Sequence, residues 1–406
     1  MTASTGAKPL FGQIEPFAGD PVFALVDKYR ADPNPAKVNL SIGVFMDEEG
    51  RLPVLDSARA AQARLPFGER PYLAMEGDAA YRNAVQEIVL GVDHPVRKTG
   101  RAATIQALGG SGALGIAADF LATHLGTQTT VLTSDPTWEN HHGLFRRAGF
   151  STGSYRYWSE ASRGVDFEGM LADIAAAPEG SIIIIQPVCH NPTGVDLTEA
   201  QQAELTRVLI ARRHVAVFDM AYQGFGDGLD ADAGFVRRYA AEAQGCLIST
   251  SFSKNLSIYG ERAGGLTIVC ADAGEAENAL GQLKFAIRRS YSSPPFTAGK
   301  LVATIMTDAE LKAMWMAEVD AMRDRLATMR AKLVSIISER RQGLDVSFLA
   351  GQKGMFAYTG LKQDAVLALR QRGIYLLDSG RLCVAGLTDS NVEKVADALC
   401  IAYDAA

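Results

Sequence analysis

Ser251-Phe-Ser-Lys-Asn-Leu-Ser-Ile-Tyr-Gly-Glu-Arg262 closes an apolar run and places one lysine among small hydroxyl residues, with an arginine further along. The run before it, residues 247–250, reads as a strand buried on both faces, as α/β sheets require. Ligands of open α/β sheets collect at the carboxyl ends of strands, which is where Lys254 would stand. A lysine that attacks a carbonyl must lose its proton, and a dry, shaped site allows that. Hydroxyls and an arginine fork suit a neighbouring phosphate, because the fork binds phosphate oxygens bidentately. A surface lysine after a buried strand fits this stretch equally well, so its surroundings must decide.

Outward from the lysine, β-rich runs at 130–133, 181–186, 215–219, 247–250 and 266–270 alternate with helical patterns at 112–124, 139–148, 199–213 and 232–243. That alternation predicts stacked βαβ units around a mostly parallel sheet flanked by helices. A long amphipathic stretch at 308–341 meets no strong breaker before Gln342-Gly343 and can bridge two domains. Beyond it, short strands (354–358, 381–385) mix with helices (363–372, 391–402), as in a smaller α+β domain. Residues 1–50, rich in Pro, Gly and Asp, read as an extended arm with a short helix near 21–30. The expected organisation is an arm (1–50) that completes part of the small domain, a large domain (51–320) and a small C-terminal domain (321–406).

Bulk properties narrow the function. The 406 residues are 48% hydrophobic and 21% charged, the composition of an ordinary globular enzyme. A formal net charge of -6 provides no electrostatic reason to expect nucleic acid or anionic membrane as a partner. The five cysteines are scattered without a CxxC pair, so reduced buried thiols and a cytoplasmic location are expected. No secretory leader is read at the N-terminus, and the longest apolar run, around 182–185, is too short to span a bilayer.

Four chemistry-bearing residues share strand-end positions: Trp138, Asn191, Asp219 and Lys254. Leu108-Gly-Gly-Ser-Gly-Ala-Leu114 precedes a helical pattern, and small residues there let backbone N–H groups approach an anion. It lacks the ending of a P-loop and the spacing of a dinucleotide site, and a plain loop-to-helix turn also fits. Asp219 is either a cap or ion-pair partner, or the carboxylate that keeps a pyridine nitrogen protonated. Tyr222 and Asn191 could bond a ring oxygen, although a packed aromatic and a Pro-Gly turn are their plainer readings. Trp138 or His141 offers a stacking surface for a planar cofactor, while His190 reads as structural. Arg381 opens a late strand and Arg288 precedes Pro294-Pro295; each is a surface charge unless something bidentate needs holding. A lysine beside a phosphate clamp suggests pyridoxal phosphate.

Taken together, these segments resemble the class I aminotransferases of the aspartate and aromatic type, which have the fold-type I pyridoxal phosphate architecture. The resemblance runs in order from about Phe11 to Tyr403. It is carried by Asn39-Leu-Ser-Ile-Gly-Val44, Tyr72-Leu, Gly109-Gly-Ser-Gly112, Pro136-Thr-Trp138, His190-Asn-Pro-Thr-Gly194, Asp219 with Tyr222, the Lys254 block and Arg381. It implies that Lys254 joins the cofactor covalently and then moves the substrate proton. Asp219 would pair with the ring nitrogen, and Asn191 and Tyr222 with the ring oxygen. Gly110, Ser111, Ser251 and Arg262 would hold the phosphate, joined by Tyr72 from a second subunit. Arg381 would grip the substrate α-carboxylate beside Asn191, Trp138 would stack on the ring, and Gly43 would lie on a segment covering the substrate. Arg288, again from the second subunit, would bind a side-chain carboxylate, so the implied enzyme is a homodimer with shared sites.

The resemblance also bears on substrate. Ser111 stands where aspartate-specific bacterial members carry Thr, and Ser293 where they carry Asn. Met46 and Leu52 are apolar where those enzymes are more polar. The implied activity is an aromatic-amino-acid aminotransferase that retains dicarboxylate activity, moving the amino group of Phe, Tyr, Trp, Asp or Glu to 2-oxoglutarate. Aspartate aminotransferase is the alternative. A DNA-binding regulator on the same fold is disfavoured by the lack of a basic helix-turn-helix stretch. A lyase or decarboxylase of this fold is opposed by Arg288 together with Arg381.

Overall fold

The apolar runs condense into a seven-stranded sheet in the computed structural model, which describes residues 11–404 apart from 13, 18, 66 and 67. Residues 1–10 of the expected arm lie outside the described residues. In chain order the strands are β1 (Ala102–Leu108), β2 (Val131–Asp135), β3 (Thr152–Arg156), β4 (Ile182–Ile185), β5 (Val215–Met220), β6 (Cys246–Ser251) and β7 (Ala263–Val269). Their spatial order is β1-β7-β6-β5-β4-β2-β3. Neighbours run parallel except at β7, which is antiparallel to both β1 and β6.

The four isoleucines of β4 show why the sheet is covered on both faces. Side chains alternate along a strand. Ile182 and Ile184 accordingly enter one hydrophobic cluster, under the helices Gly109–Leu125 and Ala273–Ser290. Ile183 and Ile185 enter another, under Phe167–Ala176, Glu199–Ala211 and Gly234–Glu242.

Several local features differ from the sequence reading, among them strand β3, which it did not expect. Strand β1 was not among the expected strands, because its alanines lower β propensity; the sheet context supplies its strand character. The helix expected at 112–124 begins earlier, at Gly109, which adopts the positive φ of 69° that starts the turn directly off β1. The helix expected at 232–243 is split into Leu229–Asp232 and Gly234–Glu242. Asp232 turns inward there and accepts N–H bonds from Gly224 (2.8 Å), Gly226 (3.0 Å) and Asp227 (2.7 Å). Finally, the strand expected at 381–385 stops at Cys383 and continues as the 3-10 turn Val384–Gly386. A Cβ on Gly386 would stand 2.6 Å from the Asn39 carbonyl oxygen, so this turn makes room for the N-terminal chain.

The long helix Ala309–Arg340 is capped by Asp308, whose carboxylate accepts the N–H groups of Glu310 and Leu311. Its buried stripe of Leu311, Trp315, Val319, Met322, Leu326, Met329, Leu333 and Ile337 follows helical spacing. Val38–Asn39 pairs in parallel with Ile374–Tyr375, and the Tyr375 hydroxyl donates to Asp32 at 2.8 Å. The N-terminal segment is thereby stitched to C-terminal elements. Phe356–Tyr358 pairs antiparallel with Arg381–Cys383, which places Tyr358 opposite Arg381.

Gly264 on β7 governs how closely the first glycine helix sits on the sheet. A Cβ there would stand 2.4 Å from the Gly109 carbonyl carbon, a backbone atom that cannot swing away. Gly264→Ala is expected to cost about 1–3 kcal/mol through overpacking. Urea unfolding should show it as a lower midpoint with an unchanged slope.

Candidate active site

Strands β4, β5 and β6 are neighbours, so the residues at their carboxyl ends converge on one cleft of about 910 Å³. Asp219 lies on β5 and Lys254 follows β6. Asn191 follows β4, and Trp138 follows β2. All four line the cleft, together with Tyr222 and Arg381. Its wall also includes Gly43, Gly110, Ser111, Ser251 and Arg262. These parts come from distant stretches of chain.

At the floor, Asp219 is buried and its Oδ2 lies 3.1 Å from His141 Nε2, while His141 Nδ1 lies 2.8 Å from Thr137 Oγ1. His141 is therefore not a stacking surface. The helix Asn140–Arg147 turns it inward behind the carboxylate, with its ring edge-on to Trp138 at 5.3 Å. Trp138 keeps a face on the cleft. A buried carboxylate held by one histidine suits a cationic ring nitrogen as its further partner.

Lys254 Nζ lies 5.2 Å from the centroid of the Tyr222 ring. Burial holds its amine below the ordinary lysine range; Asp219 opposes that shift and Arg262 reinforces it. The amine is thus biased toward the neutral form that nucleophilic and general-base work requires. Burial also raises the Tyr222 phenol, keeping it protonated and able to donate.

The helix Gly109–Leu125 points its N-terminus at one end of the cleft, and Leu108 before it provides no side-chain cap. Its first backbone N–H groups lack intrahelical partners and carry the positive end of the helix dipole. Gly110 is pressed close to Ser251, since a Cβ on it would stand 3.3 Å from the Ser251 Cβ. On Gly109 a Cβ would come within 2.7 Å of Arg262 Nη2. Glycines, hydroxyl and guanidinium therefore form a cradle of the right chemistry for phosphate.

Arg381 occupies the other end. Its guanidinium is buried, donating to Asn191 Oδ1 (3.0 Å) and the Ser41 carbonyl (2.7 Å), and lies 4.2 Å from the Phe356 ring centroid. Both oxygens are neutral, and Nε has no partner among the described residues. A buried cation with neutral partners is expensive unless an anion joins it, which marks a carboxylate site.

Two expected residues do not reach this cleft. Tyr72 is 94% exposed, and Arg288 sits exposed in the last turn of Ala273–Ser290, where Nη1 donates to Ser292 Oγ. Their segments touch each other, because Ser293 Oγ donates to the Leu73 carbonyl at 2.9 Å. Of the specificity positions, Ser111 lines the cleft, whereas Met46, Leu52 and Ser293 are not part of its lining.

Sequence reasoning missed three contributors. Gln186 clamps the Asn191 backbone, accepting its N–H (2.9 Å) and donating to its carbonyl (3.0 Å). An amide ending a strand of isoleucines was the available signal. Phe356 faces Arg381, and Tyr259 lies inside the lysine stretch itself yet lines the cleft. His190 is structural as expected: its ring contacts Ser134 Oγ (2.8 Å) and Thr193 Oγ1 (2.9 Å), and burial pushes its pKa down to about 3.

Buried amine, buried carboxylate, anion cradle and buried arginine define an α/β enzyme built for an anionic cofactor and a carboxylate substrate. A family model described as aminotransferase class I and II matches residues 35–399, and the chain belongs to that family. It is 46% identical over 393 residues to the aromatic-amino-acid aminotransferase of Escherichia coli (strain K12), covering 96% of this chain and 99% of that protein. It is also 43% identical to an aspartate aminotransferase of Pseudomonas aeruginosa, covering 96% and 98%. A crystal structure of the aromatic-amino-acid aminotransferase of Burkholderia pseudomallei, covalently bound to pyridoxal phosphate, is similar with a TM-score of 0.94 at 44% identity, covering 97% of this chain and 100% of that one.

Proposed function

We propose that this chain is a pyridoxal-phosphate-dependent transaminase that moves the amino group of aromatic amino acids, and of aspartate or glutamate, to 2-oxoglutarate. The observation that carries the reading is the buried Arg381, whose bonded oxygens are neutral and whose Nε has no partner among the described residues, lining the same cleft as Lys254 and Asp219. The anion cradle at Gly109–Leu125 and the carboxylate at the floor fit the two ends of this cofactor. When bound, pyridoxal phosphate supplies a carbonyl that accepts an amine and a ring that withdraws electrons from the substrate α-carbon.

In this reading Gly110, Ser111, Ser251 and Arg262 hold the phosphate. Asp219, oriented by His141, keeps a proton on the ring nitrogen. Asn191 and Tyr222 bond the ring oxygen, and Trp138 flanks the ring. Lys254 provides the covalent attachment and then moves the proton at the substrate α-carbon, a task suited to its depressed basicity. Arg381 and Asn191 orient the α-carboxylate, and the segment bearing Gly43 excludes water.

Tyr72 and Arg288 are assigned to the site of a second copy, so the active enzyme is proposed to be a homodimer. The support is that both are exposed and their segments are joined by the Ser293–Leu73 bond. The proposed division is a cofactor domain (51–320) and a small domain (321–406) completed by 1–50, supported by the Val38–Asn39 pairing with Ile374–Tyr375. The five buried, unpaired cysteines favour a cytoplasmic location. Among the described residues no helix is long and apolar enough to cross a membrane.

Aromatic preference is supported by the named relatives and by the apolar wall that Pro21, Val22 and Phe23 add to the cleft. The deciding experiment compares kcat/KM for phenylalanine, tyrosine and aspartate with 2-oxoglutarate as acceptor. The aromatics are expected to match or exceed aspartate. An aspartate lead beyond about 2 kcal/mol in transition-state terms, roughly thirtyfold, would favour aspartate aminotransferase instead.

A further inference from the structure

We propose that Tyr259 is a positioning residue that ties the phosphate-binding turn to the segment covering the substrate. The inference rests on the function proposed above. Tyr259 opens the 3-10 turn Tyr259–Glu261, directly before Arg262, and lines the cleft. Its carbonyl accepts Arg262 Nη1 at 2.9 Å. Its hydroxyl accepts the backbone N–H of Phe45 at 2.9 Å, across more than two hundred residues of chain. One residue therefore touches the phosphate arginine with its backbone and the N-terminal segment with its side chain.

That segment has a second anchor. The Ser41 carbonyl accepts Arg381 Nη2 at 2.7 Å, so residues 41–45 hang between the substrate arginine and the cofactor turn. Gly43 lies between the anchors, where a Cβ would stand 2.7 Å from Phe356 Cζ. Nearby, Ser257 Oγ donates to the Pro53 carbonyl at 2.7 Å and reinforces the same junction. Phe45 is itself buried, so removal of the Tyr259 hydroxyl strands its N–H away from bulk water. A phosphate on Arg262 steadies the turn, steadies Tyr259, and so steadies the cover over the substrate.

The test is amide hydrogen exchange at Phe45 in wild type and Tyr259→Phe, each with and without pyridoxal phosphate. The Val38 amide, bonded to the Gly373 carbonyl at 2.8 Å, serves as the reference for global effects. Without cofactor, the variant should exchange Phe45 roughly tenfold faster than wild type, with Val38 unchanged. Cofactor should slow Phe45 relative to Val38 in wild type and not in the variant. KM for amino-acid donors should rise roughly five- to twentyfold in the variant, with kcat and cofactor affinity within about threefold.

Equal Phe45 exchange in the two cofactor-free proteins overturns the tether, and so does a cofactor affinity that falls in step with the KM change. Should the variant not fold, wild type alone decides: Phe45 protection that follows Val38 on cofactor addition overturns the coupling, and selective protection supports it. Wild type that binds no cofactor refutes the proposed function, while the cofactor-free comparison still tests the tether. Wild type that transaminates but is matched by Tyr259→Phe refutes this inference alone.

Discussion

Lys254→Ala is expected to reduce transamination by roughly 10⁴-fold, the upper end of what a positioned acid–base group contributes. The amine stands at the end of β6, held below the usual lysine basicity by burial. A neutral amine attacks a carbonyl and takes a proton from carbon; an ammonium does neither. Arg262 shares the cleft, but its planar fork suits phosphate binding and cannot form the lysine's covalent attachment. Lys254→Arg should therefore lose as much as Lys254→Ala, which separates proton transfer from simple charge. The purified wild-type protein should be yellow with bound cofactor, and the visible band of the lysine adduct should vanish in Lys254→Ala. A wild-type protein that is colourless and cannot be reconstituted with pyridoxal phosphate would sink the assignment.

Arg381→Leu is expected to reduce kcat/KM for every amino-acid donor by about 10²- to 10³-fold, or roughly 3–4 kcal/mol, the range for truncating one partner of a buried hydrogen-bonded charge pair. The guanidinium is buried on Phe356, shares Asn191 with the proposed ring contact, and has an Nε without a hydrogen-bond partner among the described residues. All α-amino acids present the same α-carboxylate, so the loss should not depend on side chain. Arg288→Leu provides the contrast. It should weaken aspartate and glutamate by about 10- to 100-fold while leaving phenylalanine within a few-fold, because only dicarboxylates offer a second anion. Equal losses from both variants across all donors would refute this division of roles.

Several of these features were legible in the sequence for definite physical reasons. Strands buried on both faces are rich in apolar residues, so β4, β5 and the Cys-Leu-Ile start of β6 stood out, and the positions at or after their ends named Asn191, Asp219 and Lys254. The long helix Ala309–Arg340 was visible because its apolar stripe repeats at helical spacing without a breaker. Strand β1 was hidden because alanine carries little strand preference, and its neighbours β7 and the glycine helix supply what its composition lacks. The break after Asp232 was hidden because a carboxylate in a helical pattern ordinarily faces water, whereas this one takes three backbone N–H groups.

The sequence by itself determined the chemistry. Lysine, carboxylate, glycine-led helix start and arginines lie in short motifs, and each motif sets its own local geometry within a few residues. Tertiary structure decided which of them meet. It put His141 behind Asp219, Gln186 on the Asn191 backbone, Tyr259 on Phe45 and Ser41 on Arg381. It also left Tyr72 and Arg288 exposed, on segments joined by the Ser293–Leu73 bond. Apart from the Gln186–Asn191 clamp, which closes a short turn, those contacts join positions far apart in the chain, and they form only when packed layers fix both ends. Local pattern carries propensity and periodicity; the partner of a buried polar group is chosen by packing.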